Sequence, residues 1–428
     1  MHKTLGQKIK ELRRSKKMTQ SELGDGLVTP SMISQIEADK ASPSHKLLGE
    51  LAERLGVTIQ YFLEDIQAKI AKNGTLKYAR MLMEADNFES ASQLLGELLS
   101  EPIPHLETSL IKLDLAYCLQ KQGEIEKALE LYEEIVHDSM SKDEPGYAVT
   151  ALRAMGTVEY ERGNLVLANF HWNKAVTIGL RQSQIDVDRI SDVMLLLAQS
   201  QNKLGDNADA LDTLRRVQTF LERSNDMPKL ATLSRTFCEV YRDLGLFKKA
   251  EEFAHDAIAI YKTLNMRSET TYMKITLAQI MDENGRSDDA LRLLEDCLEQ
   301  ADVEVMEVIA HIHSVIAKIF YRLDRYDLAK AHCEKALAFG DNDYETLIQV
   351  YRILSNICLK REQYTEGIYN CEQLIYLCQK QHRVAELTRA FTLLSDIYKR
   401  QGNYMSATET FQRMQKAVEN NLREKTVV

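Results

Sequence analysis

The chain has 428 residues, of which 44% are hydrophobic and 28% are charged, and its formal net charge is −10 at pH 7. It contains only 6 prolines and 18 glycines, and no apolar run approaches the roughly 20 residues of a membrane helix. These properties argue against a membrane protein and predict a nearly all-helical one. The first residues carry charge without a following apolar segment, so we expect no secretory signal and a cytoplasmic location.

Basic residues are concentrated at the N-terminus. Residues 1–20 contain seven lysines and arginines but a single acidic residue, Glu11, which gives this segment a net charge of +6 in an acidic chain. Such a local excess of positive charge predicts an anionic partner, and nucleic acid is one.

Helix start signals divide the first 65 residues into five short helices. Side chains that can cap a helix stand at Thr4, Thr19, Thr29, Ser44 and Thr58. The first two have the spacing of capping boxes, and the third precedes a proline at the first helical position. We predict a second helix over about 19–27 and a third over 30–38. Two short helices joined by a tight turn in a small bundle form a helix-turn-helix.

Beyond this region, a turn residue recurs at intervals of 37 to 42 residues. The nine turn residues are Asp86, Gly123, Gly163, Gly205, Gly245, Gly285, Asp324, Glu362 and Gly402. Five residues after each turn stands a small residue, which is alanine eight times and glycine at Gly367. Small residues also stand seven positions before most turns, where two helices could cross closely. HEAT or armadillo repeats have a similar period, but the small-residue positions resemble tetratricopeptide repeats.

These patterns predict an all-α chain with four segments. Residues 1–65 form the helix-turn-helix domain, 66–74 a linker, 75–420 about nine helical hairpins in a right-handed superhelix, and 421–428 a C-terminal tail. Seven cysteines at helical core positions, without a C-x-x-C pair, are interpreted as buried free thiols. Trp172, the only tryptophan, is interpreted as a core residue.

The N-terminal motifs carry a specific resemblance. Residues 18–23 (MTQSEL), 33–37 (ISQIE) and 42–44 (SPS) look like the DNA-binding domain of phage-repressor type, known as the Xre or Cro/C1 class. The turn between Leu27 and Ile33 is one residue shorter than usual in that class. Joined to long tetratricopeptide repeats, this domain resembles the RRNPP family of peptide-pheromone receptors, in its NprR- and PlcR-like branches.

The resemblance implies a set of DNA-binding residues. They are Lys17, Gln20, Pro30, Ser31, Met32, Ser34, Gln35 and Lys40. Gln20 would lie against a phosphate at the start of the second helix, whereas Ser31, Met32 and Gln35 would face base edges in the major groove. Glu37 is expected to hold the third helix by pairing with Arg13 or Arg14.

Polar residues on the inner face of the repeats suggest a second binding site. They stand six, ten or thirteen residues before the turns, and we select Arg153, Gln199, Arg235, Glu239, Tyr272, Gln279, Lys318, Gln349, Arg352, Asn356, Arg389 and Asp396. Amides can pair with a peptide backbone irrespective of its sequence, and arginines can hold a carboxylate. The alternative is that any solvated groove of such an array is polar.

These features favour a quorum-sensing transcriptional regulator. It would bind operator DNA as a homodimer or higher oligomer and be switched by a short signalling peptide in the groove of the repeats. The alternative is a Rap-like protein that sequesters or dephosphorylates a response regulator, alone or in addition to DNA binding. The sequence shows no catalytic, metal or cofactor signature. We therefore expect no enzymatic activity, although a phosphatase activity stays open, and no cofactor.

Overall fold

The computed structural model of the chain consists of helices and turns. It describes the backbone of residues 4–100, 108–182, 186–222, 226–300, 306–339, 343–381 and 383–427, and within these ranges it contains no strand. Side chains are described for the same residues except 63–71 and 420–427. In the described part of the chain, no helix is both long and apolar enough to cross a membrane.

Five helices build the N-terminal part of the chain. They are α1 (Leu5–Ser15), α2 (Gln20–Gly24), α3 (Pro30–Glu37), α4 (His45–Leu55) and α5 (Ile59–Glu84). Thr4 and Thr19 form reciprocal capping boxes with Gln7 and Glu22. The predicted caps at Thr29 and Ser44 are also confirmed, because each accepts a hydrogen bond from a backbone N–H of the first turn. Thr58 precedes α5 without a side-chain bond.

The second helix is shorter than predicted. It ends at Gly24 rather than near residue 27, because the backbone leaves the helical region at Asp25, where ψ is 123°, and Gly26 then adopts a φ of +68°. Gly24 lies on the buried side of α2, and a Cβ there would stand 3.1 Å from Cγ1 of Ile33. A glycine at this position therefore allows α2 and α3 to approach closely. The helix predicted over 19–27 would have held both glycines in its interior, whereas Gly24 is the last residue of α2 and Gly26 lies beyond it.

An apolar core holds these helices together. Ile9 from α1, Leu23 from α2, Ile33 from α3 and Leu51 from α4 are each fully buried, and Phe62 from the start of α5 is 1% exposed. Every helix of the domain thus contributes at least one large side chain, so that burial of apolar surface stabilises the bundle as a unit.

Residues 66–74, predicted as a linker, are helical in the structure and lie within α5. The helix continues through Asn73 and Gly74, which are the weakest helix formers of this segment and cost about 1 kcal/mol or less each relative to alanine. Isoleucine, alanine, glutamine and lysine fill the other positions, and no proline interrupts them. The backbone of residues 421–427, predicted as a tail, likewise continues the last helix.

Helical hairpins follow in sequence order, the first of them formed by α5 and the next helix. The remaining helices are α6 (Phe88–Ser100), α7 (Thr108–Lys121), α8 (Ile125–Ser141), α9 (Pro145–Glu161), α10 (Leu165–Leu180), α11 (Val187–Leu204), α12 (Asn207–Leu221), α13 (Met227–Asp243), α14 (Phe247–Thr263), α15 (Arg267–Glu283), α16 (Ser287–Glu299), α17 (Met306–Arg322), α18 (Tyr326–Phe339), α19 (Tyr344–Lys360), α20 (Tyr364–Lys380), α21 (Val384–Arg400) and α22 (Tyr404–Val427). Over the described residues, eight pairs of consecutive helices pack as hairpins: α5 with α6, α7 with α8, and the six pairs from α11 with α12 to α21 with α22. The chain packs as two compact units, Met1–Val158 with Thr177–Ser183, and Glu159–Val176 with Gln184–Val428.

The predicted turn residues are confirmed at all nine positions. Each has a positive φ, between +56° at Asp86 and +88° at Gly205. The alanines five residues later are also confirmed as core positions, since all eight are at most 3% exposed. Gly367 replaces alanine after the eighth turn because a Cβ there would lie 3.1 Å from both Cβ of Cys358 and Cδ1 of Ile397.

The core contains the other residues expected there. Trp172 is 1% exposed, and all seven cysteines are buried and unbridged. Burial raises the pKa of these thiols, for example that of Cys333 to about 12, so they are poor nucleophiles.

Replacing glycine by alanine should have opposite effects on stability at Gly285, which lies in a turn, and at Gly96, which lies inside a helix. Gly285→Ala places a Cβ at a φ of +81° with no neighbour within 4 Å, so backbone strain alone should destabilise the hairpin of α15 and α16 by about 1 kcal/mol. Gly96→Ala also meets no neighbour but lies inside α6, and it should stabilise that helix by a similar amount, about 1 kcal/mol. Hydrogen exchange of the flanking amides measures both, and equal signs would contradict this account of the turns.

Candidate DNA-recognition surface and repeat pocket

Helix α3 separates its side chains into an inner and an outer face. Ile33 and Ile36 are at most 2% exposed and pack in the core of the N-terminal bundle. The residues predicted to meet DNA from this helix are all exposed: Pro30, Ser31, Met32, Ser34 and Gln35. The helix therefore presents a largely polar surface that also contains the apolar side chains of Pro30 and Met32, and this surface is exposed.

Two predicted lysines stand in exposed turns near this helix. Lys17 follows the end of α1 with a φ of +58°, and Lys40 follows α3. Both side chains are exposed, which is the arrangement required for contacts with phosphates.

A buried ion pair fixes the position of α3, and it confirms the predicted partner of Glu37. Nε of Arg13 donates to Oε1 of Glu37 at 2.5 Å and Nη2 donates to Oε2 at 3.0 Å, a bidentate geometry. The side chains are only 11% and 2% exposed. Arg13 also donates from Nη1 to the carbonyl of Met18 at 2.7 Å, so that one guanidinium joins α1, α3 and the segment before α2.

Gln20 belongs to the same network. Its Nε2 donates to Oε2 of Glu37 at 2.9 Å. The predicted phosphate contact of Gln20 stays a prediction, and with this side chain engaged the backbone N–H groups at the start of α2 are the groups that can serve it.

Asp39 forms a second link that the sequence did not reveal. Its carboxylate accepts from the backbone N–H of Gly6 at 3.0 Å and from the hydroxyl of Thr4 at 2.5 Å, which ties the turn after α3 to the start of α1. A Cβ at Gly6 would lie 2.3 Å from the carbonyl oxygen of Ile36, so only glycine fits there. Asp39 has a φ of +55° and is 33 residues from Gly6, and no local pattern predicts such a contact.

In the repeats, the structure brings four of the twelve predicted peptide-binding residues into one pocket. Arg352 and Asn356 reach it from α19, and Arg389 and Asp396 from α21. The pocket has a volume of about 340 Å³. Its remaining lining consists of Ile348, Leu374, Glu386, Thr388, Ala390, Thr392 and Leu393.

The polar groups of this pocket differ in how far they are already satisfied. Nδ2 of Asn356 donates to the carbonyl of Arg352 at 2.7 Å, which leaves the amide oxygen as an acceptor. Asp396 pairs with Lys399 at 3.4 Å. Within the described part of the chain, neither Arg352 nor Arg389 forms an ion pair, so two guanidinium groups remain for an anionic group of a ligand.

The other eight predicted residues lie outside this pocket. They are Arg153, Gln199, Arg235, Glu239, Tyr272, Gln279, Lys318 and Gln349. Two of the amides are used between neighbouring hairpins, where Gln199 donates to the hydroxyl of Thr236 and Gln349 to the carbonyl of Ser314, each at 3.4 Å. Their role in peptide binding stays a prediction.

Arg235 and Glu239 lie one turn apart on α13. Burial raises the pKa of Glu239 even though the charges of Arg235 and Arg242 oppose this shift. Nε of Arg235 is buried without a hydrogen-bond partner in the described residues. This pair is a second place on the repeats where polar groups are not fully satisfied.

Comparison with known protein families assigns both parts of the chain. Residues 9–62 match the helix-turn-helix family, and residues 85–337, more than half of the chain, match the MalT-like TPR region. The chain belongs to the MalT-like TPR family. This MalT-like TPR protein therefore joins a helix-turn-helix domain to TPR repeats, which is the domain combination that the resemblance to the RRNPP regulators implies. No curated protein matches the sequence.

Solved structures of low sequence identity are similar to this MalT-like TPR protein over most of their length. Aspartyl phosphate phosphatase F from Bacillus subtilis is 13% identical with a TM-score of 0.50, over 81% of this chain and 93% of that one. Bacillus thuringiensis PlcR in complex with the peptide PapR7 and DNA is 17% identical with a TM-score of 0.41, over 64% and 99%. The Rap conjugation gene regulator of the plasmid pLS20, in complex with the Phr* peptide, is 12% identical with a TM-score of 0.48, over 82% and 96%. The likeness to phosphatase F shows a common helical fold.

The ion pair of Arg13 and Glu37 predicts a large and pH-dependent loss of stability. Glu37→Gln leaves a buried guanidinium uncompensated and should destabilise the N-terminal bundle by about 3 to 5 kcal/mol. Burial opposes ionisation of Glu37, but the bonds from Arg13 and Gln20 outweigh it, so its pKa lies below the ordinary value of 4.5. The wild-type advantage is therefore present above pH 4.5 and is lost as the pH falls through the lowered pKa.

Hydrogen exchange of the α3 amides measures this difference between pH 7 and pH 3. Glu53→Gln, which changes an exposed carboxylate on α4, is the matched control and should be nearly neutral. A Glu37→Gln protein whose α3 opens no more readily than wild type at pH 7 would contradict the assigned role.

Proposed function

We propose that this chain is a transcriptional regulator that binds operator DNA through α2 and α3 and responds to a short peptide bound on its repeats. The observation that carries the proposal is the exposed face of α3, which is held in place by the buried pair of Arg13 and Glu37. A surface held this rigidly, with basic residues beside it, suits sequence-specific contacts with a duplex.

The chemistry of the exposed residues fits the major groove. Gln35 can donate to N7 and accept from N6 of adenine, whereas Met32 offers apolar contact to a thymine methyl group. Lys17 and Lys40 would contact phosphates, and such contacts position the domain without reading sequence. A unit with few base contacts binds weakly alone, so we propose that two copies bind a pseudo-palindromic operator as a homodimer.

The pocket of Arg352, Asn356, Arg389 and Asp396 supports the peptide-binding half of the proposal. Two arginines without an ion pair to any residue that the structure describes suit a carboxylate, either the C-terminus or an acidic side chain. The amide oxygen of Asn356 suits a backbone N–H, and Ile348 and Leu374 offer apolar surface to a side chain.

The proposal assigns the chain to the cytoplasm and gives it no enzymatic activity. A phosphatase activity on a response regulator is the alternative, and the polar groups described above support binding. The likeness to phosphatase F concerns the fold, and fold alone does not carry a function.

The first test concerns DNA. A duplex selected from a random library should bind Gln35→Ala about 1 to 3 kcal/mol more weakly, with relaxed preference at one base pair per half-site. Lys17→Ala should weaken all duplexes alike and reduce the salt dependence of binding. Lys77→Ala removes the same charge from the exposed surface of α5 and serves as control. An unchanged preference in Gln35→Ala, or an asymmetric single half-site in a footprint, would count against the proposal.

The second test concerns peptide. Peptides enriched by the protein from random heptapeptides with free termini should bind Arg352→Ala and Arg389→Ala about 1 to 3 kcal/mol more weakly in calorimetry. C-terminal amidation should weaken binding to wild type similarly if the arginines hold the terminal carboxylate. Arg292→Ala is the matched control, because this arginine is exposed on α16. Equal losses from Arg292→Ala and the pocket variants would refute the assignment of the pocket.

A further inference from the structure

A chain of polar contacts crosses the first helices of three consecutive hairpins, α15, α17 and α19. The rings of Tyr272 and His311 lie 6.1 Å apart at an angle of 42°. Nδ1 of His311 lies 3.3 Å from the hydroxyl oxygen of Thr346, and that hydroxyl lies 2.5 Å from Oδ2 of Asp343. The sequence had placed Tyr272 among the peptide-binding residues but not His311.

The positions of the protons in this series of contacts follow from the donors and acceptors. The Asp343 carboxylate only accepts, and its Oδ1 already receives the backbone N–H groups of Glu345 and Thr346. Thr346 must therefore give its single hydroxyl proton to Asp343, and its oxygen is left to accept. It follows that His311 donates from Nδ1, so a neutral ring carries its lone pair on Nε2.

The surroundings keep His311 neutral and make the site electronegative. Burial lowers the pKa of His311, and the charges of Asp343 and Glu345 only partly oppose this shift. In the part of the chain that the structure describes, no protein group bonds to Nε2. Beside it, Tyr272 is 46% exposed. Burial is the largest cause of the raised pKa of its phenol, and the charges of Asp343 and Glu307 raise this pKa further.

We propose that Nε2 of His311 and the ring of Tyr272 bind a primary ammonium group of the peptide, a role that rests on the proposed function. Nε2 accepts one N–H of the ammonium, and the tyrosine ring faces its positive charge in a cation–π contact. The amine belongs either to the peptide N-terminus or to a lysine side chain. Thr346 and Asp343 are positioning residues, because they act through the tautomer of His311.

This site and the arginine pocket together define the orientation and length of the ligand. The first helices α17, α19 and α21 contact one another in succession. The axes of packed helices lie about 8 to 10 Å apart, so two such steps place the axes of α17 and α21 roughly 16 to 20 Å apart. An extended peptide rises about 3.3 Å per residue. We therefore expect about five or six residues between an amine at His311 and a carboxylate at Arg389.

The tautomer is tested first, without any ligand. Histidine-selective ¹⁵N spectra of the full chain at pH 7.5 should show a protonated Nδ1 and an unprotonated Nε2 for His311, identified by the signal that His311→Phe removes. Thr346→Val takes away the acceptor and should shift the ring towards the other tautomer. A wild-type His311 protonated at Nε2 would overturn the inference.

The amine is tested with random heptapeptide mixtures and mass-spectrometric detection. Wild type should enrich peptides with free amines, and fully acetylated mixtures should bind about ten- to hundredfold more weakly, as expected for a lost charge-assisted hydrogen bond. Acetylating only the N-terminus, or omitting lysine, tells the two amines apart. His311→Phe and Thr346→Val should lose the preference for free amines, whereas His255→Phe, on the exposed face of α14, should keep it.

The outcomes separate this inference from the proposed function. If wild type enriches peptides but binds acetylated ones equally, or if His311→Phe and Thr346→Val both keep the preference with unchanged melting temperatures, the ammonium site is wrong while peptide binding stands. If wild type enriches no peptide from any mixture, the ammonium site and the peptide-binding half of the proposed function are both wrong, and the DNA-binding half is decided by its own test.

Discussion

A residue in the left-handed region stands between the two helices of every hairpin, and the repeat array depends on this constraint. The positive φ ends the first helix, and the small residue five positions later lets the second helix pack closely against neighbouring helices. Because the small residue always stands five positions after the turn residue, the two helices of each hairpin are aligned in the same way. Equivalent positions of successive hairpins therefore fall into rows across the first helices.

The candidate ligand sites follow from those rows. Asn356 and Asp396 each stand six residues before a turn, and both line the pocket between α19 and α21. Tyr272 and His311 each stand thirteen residues before a turn, and their rings meet although they are 39 positions apart in sequence. A groove in such an array is built from single residues of many repeats, so a substitution changes one subsite and leaves its neighbours in place.

The helix starts and the repeat turns could be predicted because they depend on residues that are close in sequence. Capping boxes at Thr4 and Thr19 span three residues, and the turn and its alanine span five, so their outcome depends little on distant packing. Contacts between distant residues were not predictable in this way. The link from Asp39 to Gly6 and the bonds from His311 to Asp343 join residues more than thirty positions apart. Gly26 was misplaced in a helix because periodicity does not reveal a φ of +68°.

The continuity of α5 changes how the two halves of the chain can influence each other. Its N-terminal end contributes Phe62 to the core of the N-terminal bundle, and its C-terminal part supplies Ala79 to the core of the first hairpin. A single helix resists bending far better than a flexible linker, so a change in the orientation of the first hairpin would be passed to the bundle rather than absorbed. Coupling is reciprocal, so if peptide favours one arrangement of paired bundles, operator DNA must strengthen peptide binding by the same factor. In the proposed regulator, a helix that joins both cores is therefore the element through which peptide binding and DNA binding would be linked within each copy.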